Sequence, residues 1–226
     1  MMIAVDVDGT LFDGTGVAPA AMRALRNARD DGHMLVIVTG RQWDGLREVV
    51  PEVLGLFHRV VCEEGGVLVD VTSGEIRLLA DPVEDVLVAG LRAAGVPDLD
   101  VGRVVVGAPF AWLDTVTAVR DRVGSTRHVV VNKSSVALAP AGCDKASGLR
   151  AAIAVLDAHA LPVLAIGDAA NDLPMFAMAT FAAAVANADE AVRAAGIPLM
   201  HGVAGVGVAE ALGLHLSPDG PPPTRR

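Results

Sequence analysis

Short apolar runs alternate with amphipathic segments along the first 62 residues of the chain. Residues 3–5, 34–38 and 59–62 are continuous apolar or nearly apolar runs, which is typical of strands buried on both faces of a sheet. Between them, residues 18–31 and 43–55 repeat apolar side chains at helical spacing, and Pro51 predicts a weak break in the second helix. This alternation predicts a parallel sheet that is covered by helices on both faces.

The pattern changes after the third predicted strand. Residues 67–71 and 75–79 flank Thr72-Ser73-Gly74, which is typical of a hairpin. The segment 81–141 then mixes short strands and helices in an order that breaks the core alternation, and we interpret it as an inserted α+β cap domain. The elements predicted within it are helices at 83–94 and 114–123 and strands at 103–107, 128–132 and 135–139.

Core alternation resumes near residue 142. The predicted elements are a helix at 144–159, a strand at 162–167, a helix at 171–178, a strand at 181–185, a helix at 188–195, a strand at 197–200 and a helix at 205–213. The expected fold is therefore a doubly wound, Rossmann-like α/β core at 1–80 and 142–215 that carries the cap at 81–141. The tail at 216–226 contains four prolines and is predicted to be disordered.

Composition excludes several classes of partner. The formal net charge is −9, aromatic residues make up 3% of the chain and tyrosine is absent, so we expect no nucleic-acid partner. The longest uncharged stretch, 173–188, is too short for a membrane span. Cys62 and Cys143 form no CxxC motif and no signal peptide precedes Asp6, which favours the reducing cytoplasm. A homodimer is a possible assembly.

Polar side chains follow the predicted strands at one end of the predicted sheet. They are Asp6 and Asp8 after the first strand, Thr39 after the second, and Asp168, Asn171 and Asp172 after a later one, while Lys145 opens a helix behind a predicted N-cap at Asp144. Ligands of open parallel sheets bind beyond the carboxyl ends of the strands. We therefore expect these side chains to meet, although the chain separates some of them by about 160 residues.

Such a set of residues favours phosphoryl transfer with a divalent cation. Several carboxylates in one place need a cation to stay ionised, and oxygen ligands suit Mg²⁺. Asp6 can then act as a nucleophile, and Asp8 as a general acid and base. Thr39 and Lys145 offer a hydroxyl group and a positive charge to the phosphate.

Four motifs resemble, in order, those of the haloacid dehalogenase superfamily. They are Asp6-Val7-Asp8-Gly9-Thr10, Thr39-Gly40-Arg41, Lys145, and Gly167-Asp168-Ala169-Ala170-Asn171-Asp172. The sequence around Met175-Phe176 and residues 207–212 is similar to the cof-like branch, whose cap lies between the second and third motifs. The chain length and the short cap most resemble the archaeal-type phosphoglycolate phosphatases.

The resemblance implies a role for each matching residue. Asp6 would be the nucleophile and Asp8 the general acid and base, with Thr39 and Lys145 completing the catalytic set. Mg²⁺ would be held by Asp6, the Asp8 carbonyl and Asp168. Asp172 would lie nearby, as a direct ligand or as a residue that orients one. The phosphate would be bound by Thr39, Gly40, Lys145 and Asn171.

Two positions depart from the family pattern. Relatives often have Asn-Gly after the third strand, where this chain has Glu63-Glu64-Gly65-Gly66, and Lys145 is followed by Ala146 instead of glycine. A carboxylate at this turn either alters the substrate pocket or has no effect on it. A carboxylated substrate needs a positively charged side chain in the cap, and the candidates are Lys133 and Arg103.

These observations predict a phosphatase for small phosphorylated metabolites, with phosphoglycolate first. The alternatives left open are a sugar-phosphate phosphatase, including sucrose- or mannosylglycerate-phosphate types, and a phosphomutase. A phosphoacceptor receiver module would be much shorter and would lack the cap, and an inactive binding protein would not need every motif carboxylate.

Overall fold

The computed structural model describes residues 1–132 and 135–217. Its strands are, in chain order, β1 Met2–Val5, β2 Met34–Val38, β3 Arg59–Cys62, β4 Val67–Asp70, β5 Ile76–Leu78, β6 Asp100–Val101, β7 Val106–Pro109, β8 His128–Asn132, β9 Ser135–Ala139, β10 Val163–Gly167 and β11 Phe181–Ala184. Its helices are α1 Pro19–Asp30, α2 Trp43–Val49, α3 Pro51–Leu54, α4 Asp85–Ala93, α5 Leu113–Arg122, α6 Lys145–Val155, α7 Leu173–Met178, α8 Glu190–Ala194 and α9 Ala204–His215.

The larger sheet brings distant parts of the chain to one edge. Within the described residues it has the order β11-β10-β1-β2-β3-β4-β5. The strands from β11 to β3 are parallel, and β4 and β5 form the predicted antiparallel hairpin at the border. Val5 is level with Ile37 on one side and with Ile166 on the other, so the residues that follow these three strands share the carboxyl edge.

Helices cover both faces of this sheet, which confirms the predicted α/β class. Alternate side chains of β1 enter different cores, because successive strand residues point to opposite faces. Ile3 and Val5 pack with buried residues of α1 and α9, including Leu25. Met2 and Ala4 pack on the other face with α6 and α7, including Leu149. Within the described residues, no helix is both long enough and apolar enough to cross a bilayer.

A second, antiparallel sheet lies in the segment interpreted as a cap. Its order is β6-β7-β9-β8, and β8 and β9 have the bounds predicted from the sequence. Leu87 and Leu91 of α4 and Val116 and Val119 of α5 pack in its apolar core. The strand predicted at 103–107 lies slightly later, at β7, after a glycine turn at Gly102.

Charged side chains fix two backbone segments at the border between the two sheets. Oε2 of buried Glu63 accepts hydrogen bonds from the N–H groups of Val104 at 2.7 Å and Val105 at 3.1 Å. Buried Arg127 donates to the carbonyl oxygen of Val104 and, at 2.7 Å, to that of Pro82. The connection between β6 and β7 and the segment that leads from β5 to α4 are therefore held by charge-assisted hydrogen bonds, which are stronger than neutral ones.

Two predictions about local structure were wrong. The helix predicted at 144–159 ends at Val155, because Asp157 takes a left-handed conformation and the Ala158 N–H bonds to the Ile153 carbonyl oxygen in a Schellman-type stop. The break predicted at Pro51 within the helical segment 43–55 is confirmed, since the segment divides there into α2 and α3.

The strand predicted at 197–200 is a single bridge between Ala184 and Leu199. Pro198 has no N–H group to extend the ladder. The tail prediction from Pro218 onward lies outside the described residues.

Close packing between α6 and the sheet gives a test of this fold. A Cβ atom at Gly148 would meet a methyl group of Val61 and lie 2.6 Å from the Gly65 Cα, whereas one at Gly213 in α9 would meet nothing within 4 Å. We expect Gly148→Ala to lower the free energy of unfolding by about 1–3 kcal/mol through overpacking. Gly213→Ala should raise it by up to about 1 kcal/mol, because alanine is the better helix former.

Urea unfolding of both variants measures these changes. Equal stabilisation by the two substitutions would contradict the packing described for α6.

Candidate active site

Three buried carboxylates converge at the carboxyl edge of the larger sheet. Asp6 follows β1, Asp168 follows β10, and Asp172 ends the 3₁₀ turn Ala170–Asp172. One oxygen from each lies within 4.8 Å of the others. Gly167 permits this approach, since a Cβ atom there would lie 2.5 Å from Oδ2 of Asp172.

Lys145 lies between two of these carboxylates. Its Nζ donates to Oδ1 of Asp6 and to Oδ1 of Asp172, both at 2.6 Å, and its side chain is 1% exposed. A reciprocal capping box between Asp144 and Ser147 begins α6 at this residue. Gly65 lets the helix start close to the site, because a Cβ atom there would overlap the Asp144 carbonyl group.

Neighbouring side chains orient Asp168. The hydroxyl group of buried Thr10 donates to its Oδ1 at 2.9 Å, and the amide of Asn187 lies 3.4 Å from its Oδ2. Asn187 also donates to the Gly9 carbonyl oxygen and accepts from the Ala204 N–H. Sequence reasoning missed both roles, although Thr10 ends the first motif and Asn187 follows the parallel strand β11.

Both oxygens of Asp172 have partners within the protein. Oδ1 binds Lys145, and Oδ2 accepts from the N–H groups of Asp168 at 2.8 Å and Ala169 at 3.0 Å. Asp172 thereby ties the loop that carries Asp168 to the ammonium group that contacts Asp6.

Asp8 is held apart from the buried cluster by an arginine. Its two carboxylate oxygens accept from Nη2 of Arg41 at 2.6 Å and Nε of Arg41 at 2.7 Å. The side chain of Asp8 is 39% exposed and that of Arg41 is 32% exposed, so this ion pair lies at the solvent side of the site. The Arg41 guanidinium also lies over the ring of Phe12, 5.8 Å from its centroid.

Glu64, the departure noted in the sequence, reaches the predicted phosphate loop. Its carboxylate accepts from Nδ2 of Asn171 at 3.0 and 3.2 Å and lies directly against Gly40. Oδ1 of Asn171 is buried without a hydrogen-bond partner among the described residues. Thr39 is fully buried, and its hydroxyl oxygen accepts from the Arg41 N–H at 3.1 Å.

The electrostatics of the cluster favour a bound cation. Burial raises the pKa of Asp6 well above its usual value, and the nearby charge of Asp172 raises it further. Burial would lower the pKa of Lys145, but the charges of Asp172, Asp6 and Glu64 outweigh it and raise that pKa. One ammonium group therefore faces several carboxylates, and this set of oxygen ligands fits a hard divalent ion.

A cavity of about 400 Å³ opens between the two sheets above Asp6 and Asp8. The second sheet and its loops supply polar side chains to its wall. Among the described residues these are Asp98, Asp100, Asn132 and Ser135. Arg103 is exposed and does not line the cavity, and Lys133, the other predicted cap cation, lies outside the described residues.

The sequence profile of the haloacid dehalogenase-like hydrolases matches residues 3–87 and 111–212. The chain belongs to this family. The hydrolase is 34% identical to a phosphoglycolate phosphatase of Haloarcula marismortui, with 82% of this chain and 84% of the relative aligned. It is 31% identical to a phosphoglycolate phosphatase of Methanothermobacter thermautotrophicus, over 93% and 96% of the two chains.

A solved structure shows the same fold. The crystal structure of a haloacid dehalogenase-like hydrolase from Bacteroides thetaiotaomicron superposes on this hydrolase with a TM-score of 0.78. The superposition covers 94% of this chain and 98% of the other, at 22% identity. The profile match and the two relatives confirm the family resemblance drawn from the motifs, and the hydrolase is a phosphatase that acts on phosphoric monoesters.

The buried Lys145 of this hydrolase is expected to be essential for stability without metal. Removing its charge leaves the carboxylates of Asp6 and Asp172 buried and uncompensated, so Lys145→Met should cost about 3–5 kcal/mol of unfolding free energy in EDTA. The matched control is Arg47→Met, which breaks an exposed pair with Asp44 and should cost less than about 1 kcal/mol.

Chemical denaturation of the two variants in EDTA compares them directly. Similar losses would mean that Lys145 does not compensate the cluster.

Proposed function

We propose that this protein is a Mg²⁺-dependent phosphatase that hydrolyses phosphoglycolate through a phosphorylated Asp6. The observation that carries the proposal is the convergence of Asp6, Asp168 and Asp172 around Lys145. Asp8 lies on the cavity side of this cluster. This arrangement supplies a nucleophile, a charge-compensating group and a separate proton carrier within one site.

The donor set supports a role for Mg²⁺. Asp6 and Asp168 would hold the ion with the main-chain carbonyl oxygen of Asp8, and the bound ion would neutralise charge on the phosphoryl oxygens. Both oxygens of Asp172 are already hydrogen-bonded. We therefore assign Asp172 as a positioning residue for Lys145 and the Asp168 loop.

The reaction takes place in two displacements at phosphorus. In the first, a carboxylate oxygen of Asp6 forms a bond to phosphorus, the bond to the ester oxygen breaks, and Asp8 donates a proton to the departing alkoxide. In the second, the oxygen of a water molecule attacks phosphorus, and Asp8 takes a proton from that water. The bond to Asp6 then breaks and orthophosphate leaves.

Polar groups at the sheet edge would hold the phosphoryl oxygens. Lys145 lies 2.6 Å from Asp6 and supplies positive charge. Thr39 has a hydroxyl proton to donate, and Gly40 lines the cavity with its backbone. Both carboxylate oxygens of Glu64 lie within hydrogen-bond distance of the same nitrogen of Asn171. These contacts leave the second N–H of the amide for a phosphoryl oxygen.

The substrate proposal rests on the relatives and on the small cavity. Both relatives described above carry the name phosphoglycolate phosphatase. A sugar phosphate is a second candidate, favoured by the four polar side chains that the second sheet and its loops present to the cavity. A phosphomutase would return the phosphoryl group to substrate, and measuring free orthophosphate separates it from a phosphatase.

Loss of the nucleophile gives the first test. Asp6→Asn should lower kcat for phosphoglycolate by at least about 10⁴-fold, because no covalent step remains. EDTA should abolish wild-type activity, and Mg²⁺ should restore it. The exposed Asp13, which makes turn hydrogen bonds with Thr15, provides the control Asp13→Asn, which should keep full activity.

Released orthophosphate is the measurement for both arms. Turnover by Asp6→Asn, or full wild-type activity in EDTA, would exclude the mechanism.

The proton carrier gives a second test. Asp8→Asn should lower kcat for an alkyl phosphate by about 10²–10⁴-fold. With p-nitrophenyl phosphate the leaving group needs no proton, so the first displacement stays fast while water attack is slow. We expect a burst of nitrophenol close to one equivalent per site, followed by slow turnover.

Stopped-flow absorbance and mass spectrometry of the trapped protein record this burst. A single slow phase without a phosphorylated protein would show that Asp8 does not act as the acid of the first displacement and the base of the second.

A further inference from the structure

Carboxylates outnumber positively charged side chains in the described part of the cavity wall. Among the described residues that line it, the carboxylates are Asp6, Asp8, Glu63, Glu64, Asp98 and Asp100. The one positively charged side chain in this described lining is Arg41. An anionic group of a substrate, other than its phosphate, is therefore repelled near these carboxylates and attracted at Arg41.

The guanidinium group of Arg41 has N–H groups that bind no described residue. Nε and one N–H of Nη2 bind Asp8, and Nη1 makes no hydrogen bond to any described residue. The guanidinium group has five N–H donors in a fixed planar arrangement. The edge formed by Nη1 and Nη2 can therefore donate two hydrogen bonds to a substrate carboxylate. The edge formed by Nε and Nη2 keeps its hydrogen bonds to Asp8.

The ion pair with Asp8 fixes the position of the Nη1 and Nη2 edge relative to the bound substrate. In the proposed mechanism Asp8 contacts the ester oxygen of the leaving group, and Arg41 lies directly beside Asp8. A carboxylate separated from the ester oxygen by one carbon atom would lie within reach of the guanidinium group. A longer leaving group would instead extend toward Asp98, Asn132 and Ser135, which the second sheet and its loops contribute to the cavity lining.

We propose that Arg41 is a specificity-determining residue that selects phosphate esters with a carboxylate one carbon from the ester oxygen. This inference rests on the proposed function, since it assigns the leaving group to the Asp8 side of the cavity. The guanidinium group contributes binding through the edge that faces away from Asp8.

Asp100 opposes this selection from the second sheet. Its carboxylate accepts a hydrogen bond from the Gln42 side chain and contributes to the electrostatic environment of Arg41. Removing the charge of Asp100 while keeping a hydrogen-bonding side chain should therefore strengthen the attraction of a substrate carboxylate to Arg41. Variants at positions 41 and 100 are expected to change selectivity in opposite directions.

The test compares two esters of nearly equal shape. Phosphoglycolate carries the carboxylate, and its carboxamide analogue is neutral at the same position. The measured quantity is the ratio of kcat/KM for the acid to kcat/KM for the amide. A ratio within one preparation does not depend on the fraction of active protein, so partial unfolding of a variant does not affect it.

We expect Arg41→Gln to lower this ratio by about 10- to 100-fold, the range for a hydrogen bond to a charged group. Arg41→Lys should give an intermediate ratio, because the charge stays but the bidentate geometry is lost. Asp100→Asn should raise the ratio by about 2- to 5-fold.

The outcomes separate this inference from the proposed function. If the wild type hydrolyses both esters and Arg41→Gln slows them by the same factor, Arg41 only positions Asp8 and the inference is overturned while the phosphatase mechanism stands. Wild-type hydrolysis of sugar phosphates alone would likewise overturn it. If no phosphate ester is hydrolysed and Asp6 is never phosphorylated, the proposed function itself fails, and the inference fails with it.

Discussion

The structure depends on the compensation of buried carboxylates by one buried ammonium group. Lys145 contacts Asp6 and Asp172 at 2.6 Å, and Asp172 in turn binds the backbone that carries Asp168. A single cation thus connects the ends of two strands and the start of a helix. Because charges out of water are costly unless paired, the packing of α6 against the sheet and the geometry of the acidic cluster are linked.

Register and glycine placement make this arrangement sterically possible. The parallel strands end level with one another, which brings residues 6 and 168 together despite their separation in the chain. Gly65 and Gly148 let the start of α6 lie against the sheet, and Gly167 lets Asp172 fold back over β10. The site is therefore specified as much by the absence of side chains at these positions as by the charged residues.

The sequence predicted the parts of the molecule that follow from periodicity and motif order. Buried strands and the convergence of Asp6, Asp168 and Lys145 were predictable, because apolar runs and the carboxyl-edge rule determine them. Hydrogen bonds between polar residues that lie far apart in the chain were not predictable from the sequence. The contact of Glu64 with Asn171 and the support of Asp168 by Asn187 depend on tertiary geometry that no local pattern contains. The stop of α6 was missed because aspartate, and not glycine, takes the left-handed position at Asp157.

Two adjacent glutamates give one short turn two separate attachments. Glu63 accepts from the backbone of Val104 and Val105, between β6 and β7 of the second sheet, while Glu64 accepts from Asn171 beside the acidic cluster. The 3₁₀ turn Glu63–Gly65 that joins them is buried. A shift of the 104–105 backbone would therefore pull on the same turn that orients the Asn171 amide. The position of the second sheet and the alignment of that amide are therefore coupled through the single peptide unit that joins Glu63 to Glu64.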